Sequence, residues 1–161
     1  EISLPEALVK CLAIKKRSLA LAESCSGGWI AKRITDVPGS SRVFKGACVV
    51  YSDASKIELL KVDSEILKKK GAVSEEIARE MSKNVRKRFD VYYGLSVTGI
   101  SGPGGGSEKK PVGLTFIGIS SPKGTQVYKF IFKGDREGNR LRATQKALQV
   151  LKDQLFETRT V

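Results

Sequence analysis

An apolar run that ends in a small polar and glycine segment constrains the fold of this chain more than any other feature. Leu19-Ala20-Leu21-Ala22 leads into Glu23-Ser24-Cys25-Ser26-Gly27-Gly28, and a helical pattern over 26–35 follows. This order predicts a strand, a tight turn and a helix. Such a turn places Ser24 at the carboxyl end of a strand, and it places the next amides at a helix N-terminus, which stabilises anions and developing oxyanions.

The rest of the chain repeats this alternation and then changes to a hairpin around Pro122-Lys123-Gly124. We predict helices over 5–16, 26–35, Ser52 or Asp53 to about Leu60, 64–70, Ser74 to about Arg88, and Arg136 to Phe156 with Leu141, Leu148, Leu151 and Leu155 inward. We predict strands over 18–23, 47–51 (a buried one), 91–98, 113–121 and 126–133. The fold class is therefore α/β, a mixed β-sheet covered by helices on both faces, in a single compact domain over 1–161.

Composition excludes several classes of chemistry. The chain has no histidine, so Ser-His-Asp and Cys-His catalysis and most transition-metal sites are excluded within one chain. Its three cysteines, Cys11, Cys25 and Cys48, contain no CxxC pair, which argues against a disulfide framework or zinc. We expect no metal, no cofactor and a reducing, cytoplasmic setting. No apolar run reaches membrane-spanning length, so we expect no membrane partner.

A net charge of +12, from 29 basic and 17 acidic residues, suggests an anionic partner. The basic residues are spread along the whole chain, however, and the triplets 68–70 and 86–88 lie near predicted helix ends, where cations suit the helix dipole. Aromatic residues are few, at 7%, and mostly lie in predicted strands. A solvated basic surface is therefore favoured over nucleic-acid binding.

A second strand-to-helix turn, Tyr51-Ser52-Asp53-Ala54-Ser55-Lys56, offers a base that is not histidine. Tyr51 ends a predicted strand, and Lys56 lies about one turn into the next helix. Both side chains are expected at the carboxyl edge of the sheet, where ligand sites of α/β proteins gather. Serine with lysine forms a nucleophile–base pair without histidine. The alternative is a capped helix with a surface lysine, just as Ser24 or Ser26 alone is explained as a helix cap.

Two more segments contribute polar groups near the same edge. Thr98 closes a strand and precedes a loop in which Gly99, Gly102 and three further glycines provide backbone for a phosphate or ribose. The loop lacks the Gly-Lys-Ser/Thr ending of an ATP-binding P-loop. Arg136 and Arg140 begin the last helix four residues apart, and arginine suits bidentate contact with a carboxylate or phosphate. The alternatives are a flexible connection and a salt-bridge cluster.

Taken together, these segments resemble the CinA C-terminal domain family, the nicotinamide mononucleotide amidases. The resemblance covers about residues 6 to 155, and the order and spacing of its motifs are specific. They are Ala22–Gly28, 34–41, Tyr51–Lys56, 71–74, Thr98–Pro103, 110–113 and 134–136. The resemblance implies hydrolysis of the carboxamide of nicotinamide mononucleotide to nicotinic acid mononucleotide and ammonia. It also suggests a homodimer.

Carried over to this sequence, the resemblance makes Ser24 the nucleophile, Lys56 its activating base and Tyr51 a supporting group. It implies substrate binding by Thr98 and by Arg140, with Arg136 as the alternative arginine. The bottom-up interpretation adds Gly27, Gly28, Gly99 and Gly102 to the binding residues, with amides near Gly27 holding the oxyanion.

Three residues depart from the family pattern: Ser26 replaces Thr, Asp53 replaces Asn and Ser101 replaces Ala. Asp53 adds a negative charge that is expected to raise the pKa of Lys56. Cys25 is a competing nucleophile beside Ser24. A non-catalytic nucleotide-binding or regulatory domain linked to competence or DNA damage is the alternative function.

Overall fold

The computed structural model describes residues 1–157, so residues 158–161, which the predicted domain included, lie outside the described part. The helices are α1 (Leu4–Lys15), α2 (Trp29–Thr35), α3 (Asp53–Leu60), α4 (Ser64–Lys70), α5 (Glu75–Phe89) and α6 (Arg136–Leu155), with one 3-10 turn, Ser40–Arg42. The strands are β1 (Leu19–Glu23), β2 (Phe44–Val49), β3 (Tyr93–Gly99), β4 (Leu114–Ser121) and β5 (Gly124–Ile131).

The five strands form one mixed sheet in the order β2-β1-β3-β4-β5. Strand β1 pairs in parallel with β2 and β3, while β3–β4 and β4–β5 are antiparallel. The chain leaves β1 toward β2 on one side and returns through α3, α4 and α5 to β3 on the other side. Strand order therefore reverses at β1, and a crevice opens at its carboxyl end, where α/β proteins bind ligands.

Alternation along β1 separates two hydrophobic layers. Leu19 and Leu21 face a core shared with α1, α2 and α6, whereas Ala20 and Ala22 face the core of α3, α4 and α5. The second face carries small residues, and α5 lies close to it: a side chain at Gly94 or Gly118 would collide with carbonyl oxygens of that helix. The predicted mixed sheet with helices on both faces is confirmed.

Three local predictions need correction. Strand β2 covers 44–49 rather than 47–51, and it is a partly exposed edge strand because β1 is its one neighbour in the described sheet. Helix α2 begins at Trp29 rather than 26, because 25–28 form a turn. Leu141 is 41% exposed rather than inward. Near that end of α6 the buried positions are Asn139 and Ala143, and Leu141 lies about 200° around the helix from both.

Within residues 1–157, none of the helices combines the length and the apolar composition that crossing a membrane requires.

Candidate active site

A cavity of about 280 Å³ lies over the carboxyl ends of β1 and β3, beside the turn that follows β2. It is lined by seven of the ten predicted site residues, namely Ser24, Tyr51, Lys56, Thr98, Gly99, Gly102 and Arg136. Cys25, Asp53, Ala72, Val73 and parts of the glycine-rich loop complete the wall. Gly27, Gly28 and Arg140 do not line it. The structure thus brings most of the predicted residues together and leaves three outside the lining of the cavity.

Ser24 continues the β1 ladder by one residue and then begins a tight turn. Its N–H donates to the carbonyl of Val97 at 3.1 Å, and its own carbonyl accepts from the N–H of Gly27 at 3.0 Å. Gly28 follows with a φ of 96°, a left-handed conformation that side chains disfavour, and there it caps α2. The predicted strand, turn and helix are therefore present, with the Ser24 side chain at the cavity wall.

The amide of Gly27 does not have the role that the sequence predicted, which was to hold an oxyanion. Because its N–H already donates to the carbonyl of Ser24, it is not available to an oxyanion. Within the described residues, the N–H groups of Cys25 and Ser26 donate to no backbone or side-chain oxygen. The N–H of Gly28 likewise has no such acceptor among the described residues. Of the amides that remain for a negatively charged oxygen, those of Cys25 and Ser26 directly follow Ser24, which lines the cavity.

Lys56 is the least expected side chain in the core, because its side chain is buried with 1% exposure. Lysine is almost never fully buried without a partner. Its Nζ donates to the carbonyl of Val50 at 2.9 Å and to Ser24 Oγ at 3.2 Å. Among the residues that the structure describes, Lys56 forms no salt bridge. Its amine is thus held against the serine by neutral oxygens alone.

Burial, the largest cause, lowers the pKa of Lys56 from its ordinary value of 10.5. Asp53 acts in the opposite direction, as the sequence predicted, but its effect is the smaller one. Asp53 is exposed at the first turn of α3, so solvent screens its charge. A neutral amine at this position can accept the proton of the Ser24 hydroxyl, which is what a general base for serine requires.

Cys25 lies in the same wall but is not activated. Burial raises the pKa of its thiol from 9.0 to about 11, with smaller opposing effects from Arg140 and Lys56. The reactive form of cysteine is the thiolate, and a pKa this high keeps the group protonated at neutral pH. The raised pKa of Cys25 therefore favours Ser24 over the competing thiol as the nucleophile.

Thr98 holds two parts of the wall together rather than presenting a free hydroxyl. It is fully buried, and its Oγ1 donates to the carbonyl of Ala72 at 3.0 Å. The turn before α5 is thereby fixed against the end of β3. The next residue, Gly99, leaves room for its neighbours, since a Cβ there would lie 3.2 Å from Cys25 Sγ and 2.8 Å from Thr115 Oγ1.

Arg136 and Tyr51 form the mouth of the cavity. The guanidinium of Arg136 donates to the carbonyl of Gly102 at 2.8 Å and to the Tyr51 hydroxyl at 2.9 Å. Tyr51 is 62% exposed, and its hydroxyl bonds to Arg136 rather than to Lys56. The mouth therefore joins the glycine-rich loop, α6 and the end of the turn after β2.

Arg140 donates hydrogen bonds to the turn that carries Ser24 and does not line the cavity. Its Nε donates to the carbonyl of Cys25 at 3.0 Å, its Nη2 donates to the carbonyl of Ser26 at 3.2 Å, and its guanidinium lies 5.2 Å from the centre of the Trp29 ring. A Cβ at Gly27 would lie 3.1 Å from Nη2. The preference between the two arginines therefore reverses: Arg136 faces the cavity, and Arg140 supports the backbone that carries Ser24.

Sequence reasoning missed two supporting residues. Asn139 is buried, and its Nδ2 donates at 3.0 Å to the carbonyls of Ser101 and Gly134, which ties the glycine-rich loop to α6. Glu23 is fully buried directly before Ser24. A signal for Glu23 was visible, because a carboxylate at the end of an otherwise apolar strand needs internal partners.

Comparisons with known proteins agree with the fold and cover nearly the whole chain. A family model described as the CinA C-terminal domain matches residues 1–155. A competence-damage inducible protein of Halothermothrix orenii is 49% identical over 152 residues, and a CinA-like protein of Acidobacterium capsulatum is 45% identical over 154. These alignments cover 94% and 96% of this chain.

The chain spans 37% of the length of each of these two relatives. Among solved structures, a competence-damaged protein (CinA) superfamily protein from Escherichia coli superimposes with a TM-score of 0.91 and 28% identity. That match covers 94% of this chain and 88% of the other.

Proposed function

The chain belongs to the CinA C-terminal domain family, and from that premise we propose that it is an amidohydrolase that converts nicotinamide mononucleotide to nicotinic acid mononucleotide and ammonia. The observation that carries this proposal is the buried amine of Lys56, 3.2 Å from Ser24 Oγ in the wall of a cavity. A lysine with a lowered pKa beside a serine hydroxyl is a nucleophile–base pair.

The proposed reaction has two halves. Ser24 Oγ attacks the carboxamide carbon as its proton passes to Lys56 Nζ, and the N–H groups of Cys25 and Ser26 stabilise the oxyanion. Lys56 then gives its proton to the leaving nitrogen, so that ammonia departs and an acyl ester remains on Ser24. Water attacks the ester as Lys56 takes its proton, the bond between the acyl carbon and Ser24 Oγ breaks, and Lys56 returns the proton to Oγ as the carboxylic acid leaves. The chain's own residues supply every proton transfer.

The size of the cavity supports a small amide as the group that enters it. At about 280 Å³ it is near the lower end of ligand pockets, which typically occupy about 300–1,000 Å³. We propose that the pyridine carboxamide enters it and that the ribose phosphate remains at the mouth. There Arg136, exposed at the first turn of α6, supplies a cation for the phosphate. The positive charge of the pyridinium makes the amide carbon more electrophilic.

The test is ammonia release from nicotinamide, its riboside and its mononucleotide by the wild type and by Ser24→Ala. We expect turnover of the mononucleotide in preference to the other two and its loss in the variant. Full activity in Ser24→Ala would exclude Ser24 as the nucleophile. Equal turnover of all three amides would exclude recognition of the phosphate.

A second candidate, a non-catalytic nucleotide-binding or regulatory domain, draws on the names of the relatives, which refer to competence and damage. It predicts that calorimetry detects binding of the mononucleotide while no ammonia forms. The homodimer and the cytoplasmic setting stay predictions, and light scattering of the purified chain tests the first of them.

A further inference from the structure

A carboxylate that is fully buried lies directly before the proposed nucleophile. Glu23 is the last residue of β1, and its backbone pairs with Val49 on one side and Val97 on the other. A carboxylate removed from water is costly unless hydrogen-bond donors surround it. The groups that donate hydrogen bonds to Glu23 therefore show which part of the structure its carboxylate holds in place.

The three groups that donate hydrogen bonds to the Glu23 carboxylate, one hydroxyl and two backbone amides, follow Ser24 in the chain. Oε1 accepts from the Ser26 hydroxyl at 2.7 Å and from the N–H of Ile30 at 2.9 Å, and Oε2 accepts from the N–H of Ala31 at 3.0 Å. The residue that caps α2, Gly28, has no side chain to do this. Glu23 thus replaces the missing cap and places its negative charge where the helix dipole favours it.

These contacts fix both ends of the segment that carries Ser24. The strand end is held by the sheet, the helix start is held by the Glu23 carboxylate, and Ser24 lies between them. The Arg140 guanidinium adds a third attachment, because it donates hydrogen bonds to the carbonyls of Cys25 and Ser26. With the backbone held at each of these points, Ser24 Oγ is directed at Lys56 Nζ.

We propose that Glu23 is a positioning residue for the nucleophile, a statement that rests on the proposed role of Ser24. By taking the Ser26 hydroxyl and the first amides of α2, its carboxylate locks the turn in the geometry in which Ser24 meets Lys56. The sequence predicted that the N-terminus of α2 stabilises an anion. The Glu23 carboxylate of the chain itself is the anion bound there.

The variant that tests this is Glu23→Gln, which keeps the size of the side chain but loses the charge and one acceptor. We expect kcat to fall by about tenfold to a hundredfold, because a displacement of about 1 Å at a nucleophile can cost that much. KM should stay within about twofold, since Glu23 does not line the cavity. Trp29, the single tryptophan and the first residue of α2, should change its fluorescence emission.

Two matched variants separate positioning from general destabilisation. Ser96→Ala removes a buried hydrogen bond of 2.7 Å to the carbonyl of Ala78, away from the turn, and Glu65→Gln removes a carboxylate charge at an exposed position. Both should retain kcat and Trp29 emission. If Glu23→Gln does not fold, Ser26→Ala removes the hydroxyl donor alone and tests the same claim.

A serine-reactive sulfonyl fluoride provides a readout that needs no amide substrate. Its rate of labelling at Ser24, located by peptide mass spectrometry, should fall in Glu23→Gln with the change in Trp29 emission. Wild-type labelling and emission in Glu23→Gln, or an equal loss in Ser96→Ala, would overturn the proposal. Absence of ammonia from the wild type would instead reject the proposed amidase, while the labelling and fluorescence comparison would still decide on Glu23.

Discussion

The two strand-to-helix turns that meet in this cavity are built in opposite ways. The turn after β1 is largely buried and depends on two side chains outside it, the carboxylate of Glu23 directly before it and the guanidinium of Arg140 on α6. The turn after β2 is exposed and caps itself, with Ser52 and Ser55 exchanging hydrogen bonds in a capping box. Within residues 51–56, Lys56 alone has a fully buried side chain.

The proposed nucleophile and its base therefore lie on two turns that are supported in different ways. The buried turn fixes the direction of Ser24 through tertiary contacts, so remote substitutions should affect it. The exposed turn places Lys56 mainly through its own capping, to which an exposed hydrogen bond from Arg136 to Tyr51 is added, so substitution of the capping residues should be tolerated.

Replacing the buried base should have the largest effect. In Lys56→Met, kcat should fall by about a hundredfold to ten-thousandfold, the usual contribution of a general base. Stability should stay the same or rise, because an apolar side chain of similar length avoids the cost of burying an amine. Ammonia assays measure the change in kcat, and urea denaturation measures the change in stability. A large loss of stability would mean that Lys56 is a structural residue.

The pH dependence should follow the lowered pKa of Lys56. Between that lowered pKa and 10.5 the unfolded chain binds more protons than the folded one, so stability relative to Lys56→Met should rise with pH across this window. In the same direction, kcat/KM should rise with a midpoint below 10.5 as the amine loses its proton. Denaturation of both proteins at several pH values measures the first effect. A stability difference that does not change with pH would contradict it.

The two arginines of α6 should give different kinetic signatures. Arg140→Ala should lower kcat and destabilise the fold by about 2 kcal/mol, because charge-assisted hydrogen bonds to two carbonyls are lost. Arg136→Ala should mainly raise KM for the mononucleotide and not for the riboside. Arg33→Ala, which removes a long contact from α2 to Gln145 on α6, is the matched control for the first variant. Identical effects of Arg136→Ala and Arg140→Ala would remove the distinction.

The self-capped turn should be the more tolerant one. Ser52→Ala should destabilise the protein by about 1 kcal/mol, the usual value of a helix cap, and leave kcat within about twofold. Thermal unfolding and ammonia release measure these quantities. A loss of kcat as large as that of Glu23→Gln would show that both turns depend equally on precise support.

The smallest expected effect is at Cys25. Because burial raises the pKa of its thiol to about 11, Cys25→Ala should keep most of the activity, and a thiol reagent should leave it unchanged. Inactivation of the wild type by that reagent, together with resistance of Cys25→Ala, would transfer the nucleophile from Ser24 to the thiol.

Local patterns predicted the sheet, its helices and most of the cavity wall. Ser24 and Lys56 could be predicted to share the cavity because each lies in a segment that leads from a strand into a helix. The orientation of Arg140 could not be predicted, since a spacing of four residues puts both arginines on one helix face and does not say which of them meets the cavity. The prediction that Leu141 faces inward was wrong for a related reason. The buried Asn139 near the start of α6 shows which face of the helix is inward there. Glu23 was overlooked because its donors lie across a turn rather than beside it.

The central claim is that Ser24 is acylated by an amide with Lys56 as its base. The most direct measurement is mass spectrometry of the wild type after acid quenching during turnover of nicotinamide mononucleotide, followed by peptide mapping. We predict an acyl adduct on Ser24 that is absent from Lys56→Met. Ammonia release with the adduct on Cys25, or with an unmodified Ser24 under conditions that slow deacylation, would contradict the account.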